Sequence, residues 1–206
     1  MEPMQLSASH TSPAHDGDEV DRARAQEYAL LATLLSRGPG AELIGRLASL
    51  RGDATSLGTA HAALGEAAAR TDEARAGREF FDLFTGLGKG ELLPYASHYL
   101  TGSLYGRPLA RLRETFERLG VARAAGHSEP EDHAAILCEF MAALINGEIA
   151  GPGGHDRAFF DEHLAPWIGR FFVDLERAQS ADFYARVGSL GRVFIGIEAE
   201  AFALST

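Results

Sequence analysis

Helical periodicity runs through nearly the whole sequence and is interrupted at intervals by glycine and proline. In "EYALLATLLSRGPG", four leucines follow the i, i+1, i+4, i+5 spacing of one helix face, and Gly38-Pro39-Gly40 ends the pattern. Similar apolar faces recur as far as "RVFIGIEAEAFAL" near the end of the chain. The sequence contains no period-2 strand, βαβ alternation or fixed-length repeat. It therefore predicts an all-α fold, a single helical-bundle domain of about eight to ten helices.

Several helix boundaries follow from capping and breaking residues. Thr71 is predicted to cap the helix in "TDEARAGREFFDLF". The stretch "ELLPYASHYLTGSLYGRP" has no helical period and is predicted to be an ordered loop. A helix is predicted over residues 128–146, and Pro166 should kink or split the helix that contains it. Three glycines in "RVGSLGRVFIGIE" indicate close contact between the last helix and a neighbour.

Charge and composition narrow the classes of partner. Hydrophobic residues make up 46% of the 206 residues, which is typical of a globular protein. The formal net charge of −10 argues against nucleic acid or an anionic membrane surface as the main partner, because both repel an acidic protein. A basic partner remains compatible with this charge, and solubility alone would also explain it.

The chain ends and the cysteine content bear on location and organisation. Residues 1–17, rich in Ser, Pro, His and Asp, are predicted to form a disordered leader, and residues 18–206 form the helical domain. The leader lacks the basic and apolar regions of a signal peptide, and no apolar run approaches the roughly 20 residues of a membrane helix. The single cysteine, Cys138, excludes an intramolecular disulfide. We therefore expect a cytoplasmic protein.

The glycines of residues 151–154 are a candidate hinge, so we expect a monomer or a domain-swapped homodimer.

Titratable residues cluster in "SEPEDHAAILCEFM", ahead of an apolar helical pattern. A metal site, an acid–base site, a dock for a basic peptide and a simple helix start are the four interpretations. Ser128 and Glu131 have the spacing of a capping box, and a helix N-terminus favours Glu129 and Asp132 as well. His133 is not explained in this way, because the positive end of a helix dipole disfavours its charged form.

Motifs for catalysis or for metal binding are missing from the sequence. Asp132 and His133 are adjacent, so on a helix they point about 100° apart and chelate one ion poorly. The sequence has no H-E-x-x-H pair, no G-x-S-x-G elbow and no complete phosphate loop around "GLGKG". We therefore expect no metal, no cofactor and no enzymatic activity. A nucleotide-dependent switch remains as an alternative, supported only by "GLGKG" and the Asp132–His133 pair.

Three motifs in order resemble those of one family. "EPEDHAAILCEFMAAL" is similar to the E-P-x-D-H segment of the TorD/DmsD/NarJ-type chaperones, the redox-enzyme maturation proteins. "PYASHYLTGSLYGRP" resembles the upstream Tyr-x-Ser-x-Tyr/Phe loop of that family, and "FFDEHLAPWIGRFFVDL" resembles its downstream aromatic segment. The resemblance covers roughly residues 80–175. It implies an all-α, TorD-like chaperone.

The resemblance also implies a function. Such a chaperone binds the twin-arginine signal peptide, or the apo form, of a molybdenum- or tungsten-containing oxidoreductase subunit. It holds that subunit in the cytoplasm until its cofactor is inserted and then releases it to the Tat export pathway. Some relatives serve subunits without a Tat signal, so the form of the client stays open. A signal-independent assembly adaptor is a further alternative.

The resemblance and the chemistry together predict a peptide-binding groove. Carboxylates bind guanidinium groups through charge-assisted hydrogen bonds, and an apolar groove accommodates the hydrophobic part of a leader. For each aromatic residue, a position in the core is the competing interpretation. We further expect Asp132→Ala to weaken client binding with little change in thermal stability. The predicted groove and its rim consist of Tyr95, Tyr99, Phe140 and Trp167 as apolar lining, Ser97, Asp132 and His133 as polar rim, and Glu129 and Glu131 as acidic contacts.

Overall fold

The computed structural model of the chain describes residues 13–121, 129–149 and 155–204. Within these ranges there are ten α-helices, two π-helical turns and no β-strand. This confirms the prediction of an all-α fold with eight to ten helices. In chain order the elements are α1 (Pro13–Ser36), α2 (Ala41–Leu47), α3 (Ser56–Arg70), α4 (Glu73–Phe80), π1 (Phe81–Thr85), α5 (Ala96–Thr101), α6 (Arg107–Arg118), α7 (Ala134–Ile145), α8 (His155–Phe159), π2 (Phe160–Leu164), α9 (Ile168–Arg177) and α10 (Phe183–Leu204).

Two long helices organise the bundle. The helix α1 packs along α7, and α10 contacts α1, α3, α4 and α9. The apolar faces of these helices contribute to one buried cluster, which contains Tyr28 and Leu34 of α1, Phe171 of α9 and Tyr184 of α10. The Tyr184 hydroxyl donates to the Leu34 carbonyl over 3.0 Å, so this polar atom is satisfied inside the core. No helix in the described part of the chain is both long enough and apolar enough to span a membrane.

Some boundaries differ from the predictions. The helix α1 begins at Pro13 and not at Asp18, while residues 1–12 of the predicted leader and the candidate hinge at residues 151–154 lie outside the described residues. Asp72, and not Thr71, caps α4, because its carboxylate accepts from the Arg75 amide over 2.9 Å. The predicted loop after π1 contains the short helix α5. Six residues are too few to show a helical period in the sequence.

The segment around Pro166 divides as predicted. Pro166 lies in a turn between π2 and α9, so the helical pattern in this part of the chain is split into two pieces. The side chain of Trp167 at this turn is 1% exposed, and its Nε1 donates to the His163 carbonyl over 2.8 Å. The turn is therefore anchored in the core.

Glycines in α10 permit the close helix contact that the sequence predicts. A Cβ placed on Gly188 would lie 2.5 Å from the backbone nitrogen of Glu176 in α9, and one on Gly191 would collide with the Phe172 ring. A Cβ on Gly196, in the same helix, would meet no atom of a neighbouring element within 4 Å among the described residues. The two helices therefore approach through Gly188 and Gly191 and not through Gly196.

This contact predicts opposite effects of two identical substitutions in α10. We expect Gly188→Ala to lower the free energy of unfolding by about 2 kcal/mol, because the added methyl group forces α9 and α10 apart. Gly196→Ala is the matched control and should raise the free energy of unfolding by about 0.5–1 kcal/mol, because alanine is the better helix former. Urea unfolding followed by circular dichroism measures both. Equal effects of the two substitutions would contradict the packing described.

Candidate functional site

The predicted motif residues meet where the start of α7 lies against the segment before α5. Tyr95 and His133 form an isolated antiparallel bridge. The Ala96 amide donates to the Asp132 carbonyl over 3.0 Å, and the Ala134 amide donates to the Pro94 carbonyl over 2.8 Å. Two motifs that lie far apart in the sequence are thus held together by main-chain hydrogen bonds.

This bridge determines where α7 begins. The helix starts at Ala134, with His133 as its N-cap, so the prediction of a helix from residue 128 was wrong. The Asp132 carbonyl is engaged by Ala96, which prevents the helix from extending further towards the N-terminus. Glu131 therefore precedes the helix, and Ser128, the other half of the proposed capping box, lies outside the described residues.

Asp132 is buried between α5 and α7. Its side chain is 1% exposed, and Oδ2 accepts from the Ser97 amide over 2.8 Å. Oδ1 is buried and has no hydrogen-bond partner among the described residues. Ser97 is itself fully buried, and its Oγ accepts from the Tyr105 amide over 3.0 Å. These contacts give Asp132 and Ser97 a positioning role for the loops on either side.

His133 is nearly buried and is held as a neutral imidazole. Its Nδ1 accepts from the Ala135 amide over 3.1 Å, which places the ring proton on Nε2. Burial lowers the pKa of His133, although the charges of Glu129 and Asp132 act in the opposite direction. The Tyr95 ring stands nearly perpendicular to the imidazole with 5.1 Å between centroids, and the Tyr95 hydroxyl donates to Glu129.

The lowered pKa of His133 predicts a pH dependence of stability. As the pH falls towards and below the ordinary histidine value of 6.5, the unfolded chain takes up the proton before the folded chain does, so the free energy of unfolding decreases. We expect His133→Asn, which keeps a good N-cap, to lose less stability than the wild type between pH 7.5 and pH 5.5. Urea unfolding at several pH values measures the difference.

The other histidines cancel in this comparison. His163, whose pKa burial also lowers, is present in both proteins and cancels in the difference. Parallel pH profiles for the wild type and His133→Asn would show that His133 titrates equally in the folded and unfolded chains, contrary to its burial.

Glu131 is not a free acidic contact. It is 8% exposed, and its carboxylate accepts from Arg113 Nη2 over 2.8 Å and from Arg113 Nε over 3.2 Å. The pairing raises the pKa of Arg113, mainly through this hydrogen bond. Glu131 therefore fixes the segment before α7 to α6.

The aromatic residues of the predicted groove do not line one groove in this structure. Trp167 is buried in the core, and Phe140 is 7% exposed, with its ring 4.5 Å from Phe116 and 4.7 Å from Phe159. Tyr99 is half-buried, and its hydroxyl donates to Asp174 over 2.9 Å. For Phe140 and Trp167 the competing interpretation, a position in the core, describes the structure.

A different groove, which we name the acidic groove, lies between α1, the α4–π1 segment and α7, with a volume of about 590 Å³. Among the described residues, its lining includes two carboxylates, Glu129 and Glu139, and no lysine or arginine. Three of its lining residues were predicted from the sequence as site residues, namely Tyr95, Glu129 and His133. The other lining residues were missed. Glu139 could have been found as the one charged residue within "AAILCEFMAAL". The apolar lining includes Leu35, Phe80, Phe84 and Ile136.

A second depression, which we name the basic cleft, has a volume of about 300 Å³ and lies on the other side of Asp132. Arg107 and Arg111 of α6 line it, and Asp132 and His163 contribute polar groups. The segment that begins α7 therefore has a cleft on each side, one lined by two carboxylates and the other by two arginines together with Asp132 and Glu162.

Features that would suggest other chemistry are not found in the described ranges. No group of three or more His, Cys, Asp or Glu residues there is arranged to hold a metal ion. The "GLGKG" stretch follows π1 and does not open a helix, so it lacks the helix N-terminus against which a phosphate loop binds its ligand.

Comparison with solved structures identifies the class of fold. A chain from Archaeoglobus fulgidus described as a redox enzyme maturation protein superimposes with a TM-score of 0.53 at 19% identity, covering 97% of this chain and 99% of that one. The fold is thus that of the all-α redox-enzyme maturation proteins.

Sequence comparison then identifies the family. Residues 50–173 match the model of the nitrate reductase delta subunit family, and the chain belongs to that family, which confirms the resemblance of its motifs. The chaperone protein TorD of Aliivibrio fischeri is 31% identical over 135 residues, or 61% of this chain and 63% of that protein. The TorD of Vibrio cholerae is 29% identical over 126 residues, or 57% of each chain. The chain thus spans about three fifths of the length of these relatives.

Proposed function

We propose that this protein is a cytoplasmic chaperone for a molybdenum- or tungsten-containing oxidoreductase subunit, and that it binds the subunit's twin-arginine leader in the acidic groove. The TorD relatives are named as chaperones, which supports this class of function. The client is bound as a leader peptide or as the apo-subunit before its cofactor is inserted and before Tat export.

The composition of the acidic groove carries the proposal. In the part of the lining that the structure describes, there are two carboxylates and no lysine or arginine, beside an apolar wall that includes Phe80, Phe84 and Ile136. A twin-arginine leader supplies the complementary groups in order, first two guanidiniums and then an apolar segment. Glu129 and Glu139 are both exposed, so a peptide can reach them without unfolding the bundle.

The roles of the remaining predicted residues follow from their positions. Tyr95 and His133 line the acidic groove and can contact the leader directly, beside Glu129. Asp132 and Ser97 are buried behind this edge and act by positioning it. Tyr99 lies outside the lining of the groove, and we assign it no contact with the leader.

The test is a titration of the purified full chain. The probes are synthetic leaders of all molybdenum- and tungsten-containing oxidoreductases encoded in the same genome, measured by isothermal titration calorimetry. We expect at least one leader to bind with a dissociation constant of about 10 μM or lower. Replacing its two arginines by glutamine should abolish the heat of binding. If no leader binds, or if the glutamine version binds equally well, leader recognition is excluded.

The same client, prepared with and without its leader, distinguishes leader recognition from a signal-independent adaptor function. We expect the apo-subunit to bind more tightly with its leader than without it, because the acidic groove then contributes. Equal affinity of the two forms in a pull-down with purified components would favour the adaptor.

A further inference from the structure

We propose that the basic cleft binds an extended segment of the client subunit outside its leader, one in which apolar side chains flank an aspartate or glutamate. The identity of the client rests on the function proposed above. The assignment of the cleft itself rests on four features of its lining.

The first feature is two neighbouring arginines whose charges are not balanced by an ion pair. Arg107 and Arg111 lie one helical turn apart on α6, both exposed. Within the described residues, the guanidinium group of neither one forms an ion pair or a hydrogen bond. Many other arginines of this acidic chain are paired, as Arg24 is with Glu198 and Arg192 is with Glu176. Two adjacent free guanidiniums at the mouth of a cleft are a binding site for a carboxylate.

The second feature is an acceptor at the floor of the cleft. Asp132 lines it, and its buried Oδ1 has no partner among the described residues. A buried carboxylate oxygen without a donor is costly, so a ligand that supplies an N–H group gains from reaching it. Oδ2 of the same carboxylate already accepts a backbone amide, that of Ser97. A backbone amide of an extended peptide would donate a hydrogen bond to Oδ1 in the same way.

The third feature is apolar surface beside the cations. Leu100 and Pro108 line the cleft, and the loop between them exposes Leu104 and Tyr105, at 37% and 59%. Tyr105 has a φ of 69°, which is unfavourable for a residue with a side chain. Its amide is held by Ser97 Oγ, so the loop is fixed in the conformation that presents both side chains to solvent.

The fourth feature is the charge balance at the opening. Glu162 also lines the cleft, but it lies 3.9 Å from Arg118, which offsets its charge. The free charge at the mouth is therefore positive, opposite to that of the acidic groove. A basic leader suits one cleft and an acidic, apolar segment suits the other.

One peptide series tests the cleft and the leader groove separately. Synthetic 15-residue peptides tile the molybdenum- and tungsten-containing oxidoreductase subunits of the same genome, leaders included, and fluorescence anisotropy measures their binding to the full chain. The variant is Arg107→Glu/Arg111→Glu. The control is Arg22→Glu/Arg177→Glu, which makes the same change in net charge at exposed positions outside both clefts.

We expect the wild type to bind a set of non-leader peptides that are apolar and contain Asp or Glu. The Arg107→Glu/Arg111→Glu variant should bind them at least about tenfold more weakly than the control variant does, with leader binding within about twofold of that control. If no such peptide binds, or if both variants bind it equally, the assignment of the cleft is overturned. If acidic peptides bind through the two arginines and leaders do not bind at all, the leader function fails and the cleft assignment stands.

Discussion

Glu129→Gln/Glu139→Gln will bind the leader peptide about 100-fold more weakly than the wild-type chain, because each substitution removes the anion from one charge-assisted contact with a guanidinium. The two residues are the only carboxylates in the described lining of the acidic groove. Glutamine keeps the shape of each side chain, so the apolar part of the leader still fits. Titration calorimetry with the best-binding leader measures the loss.

Stability measurements separate this effect from misfolding. Glu129 and Glu139 are exposed, so the midpoint of thermal unfolding should change by no more than about 2 °C. The matched control is Glu117→Gln/Glu200→Gln, which removes the same charge at exposed positions outside the groove and should bind the leader almost as the wild type does. Equal losses in both variants would mean that net charge, and not the groove, attracts the leader.

Asp132→Ala will reduce the free energy of unfolding by about 2–3 kcal/mol, because it leaves the buried Ser97 amide without an acceptor and opens a small void. This replaces the expectation from the sequence that thermal stability would hardly change. Asp132→Asn should cost less, since the amide oxygen can still accept from Ser97. Urea unfolding of the three proteins should show the free energy of unfolding decreasing from the wild type to Asp132→Asn and then to Asp132→Ala.

Leader binding by the same variants defines the role of Asp132. If Asp132 acts by positioning, Asp132→Asn should bind the leader nearly as well as the wild type. Leader affinity should then fall only in a variant whose free energy of unfolding is also lowered. A loss of more than about tenfold in Asp132→Asn with unchanged urea unfolding would instead place this carboxylate in direct contact with a guanidinium.

The class of fold could be predicted from the sequence because the leucine and phenylalanine spacings are local. The stripe of Leu30, Leu31, Leu34 and Leu35 and the break at Gly38 depend only on neighbours in the chain. The start of α7 could not be predicted in this way. It depends on the bridge between Tyr95 and His133, which joins residues 38 positions apart.

The same reasoning applies to the site. Glu129 and His133 were found because they stand out in a short segment, and the structure places them in one groove. The aromatic lining was misassigned because Phe140 and Phe80 have similar patterns in the sequence, and only packing decides which one is buried. Phe140 lies between two other rings in the core, whereas Phe80 is partly open to the groove.

The glycine contact between α9 and α10 bears on how two copies of this chain could exchange segments. Backbone at Gly188 lies so close to α9 that a swapped dimer has to keep this contact, within one chain or between two. A dimer that exchanged α10 alone would form it between chains, whereas one with its crossover ahead of α9 would exchange both helices and keep it within one chain. Cross-linking of cysteines introduced in α9 and α10 distinguishes the two dimers, because only the second gives pairs within one chain.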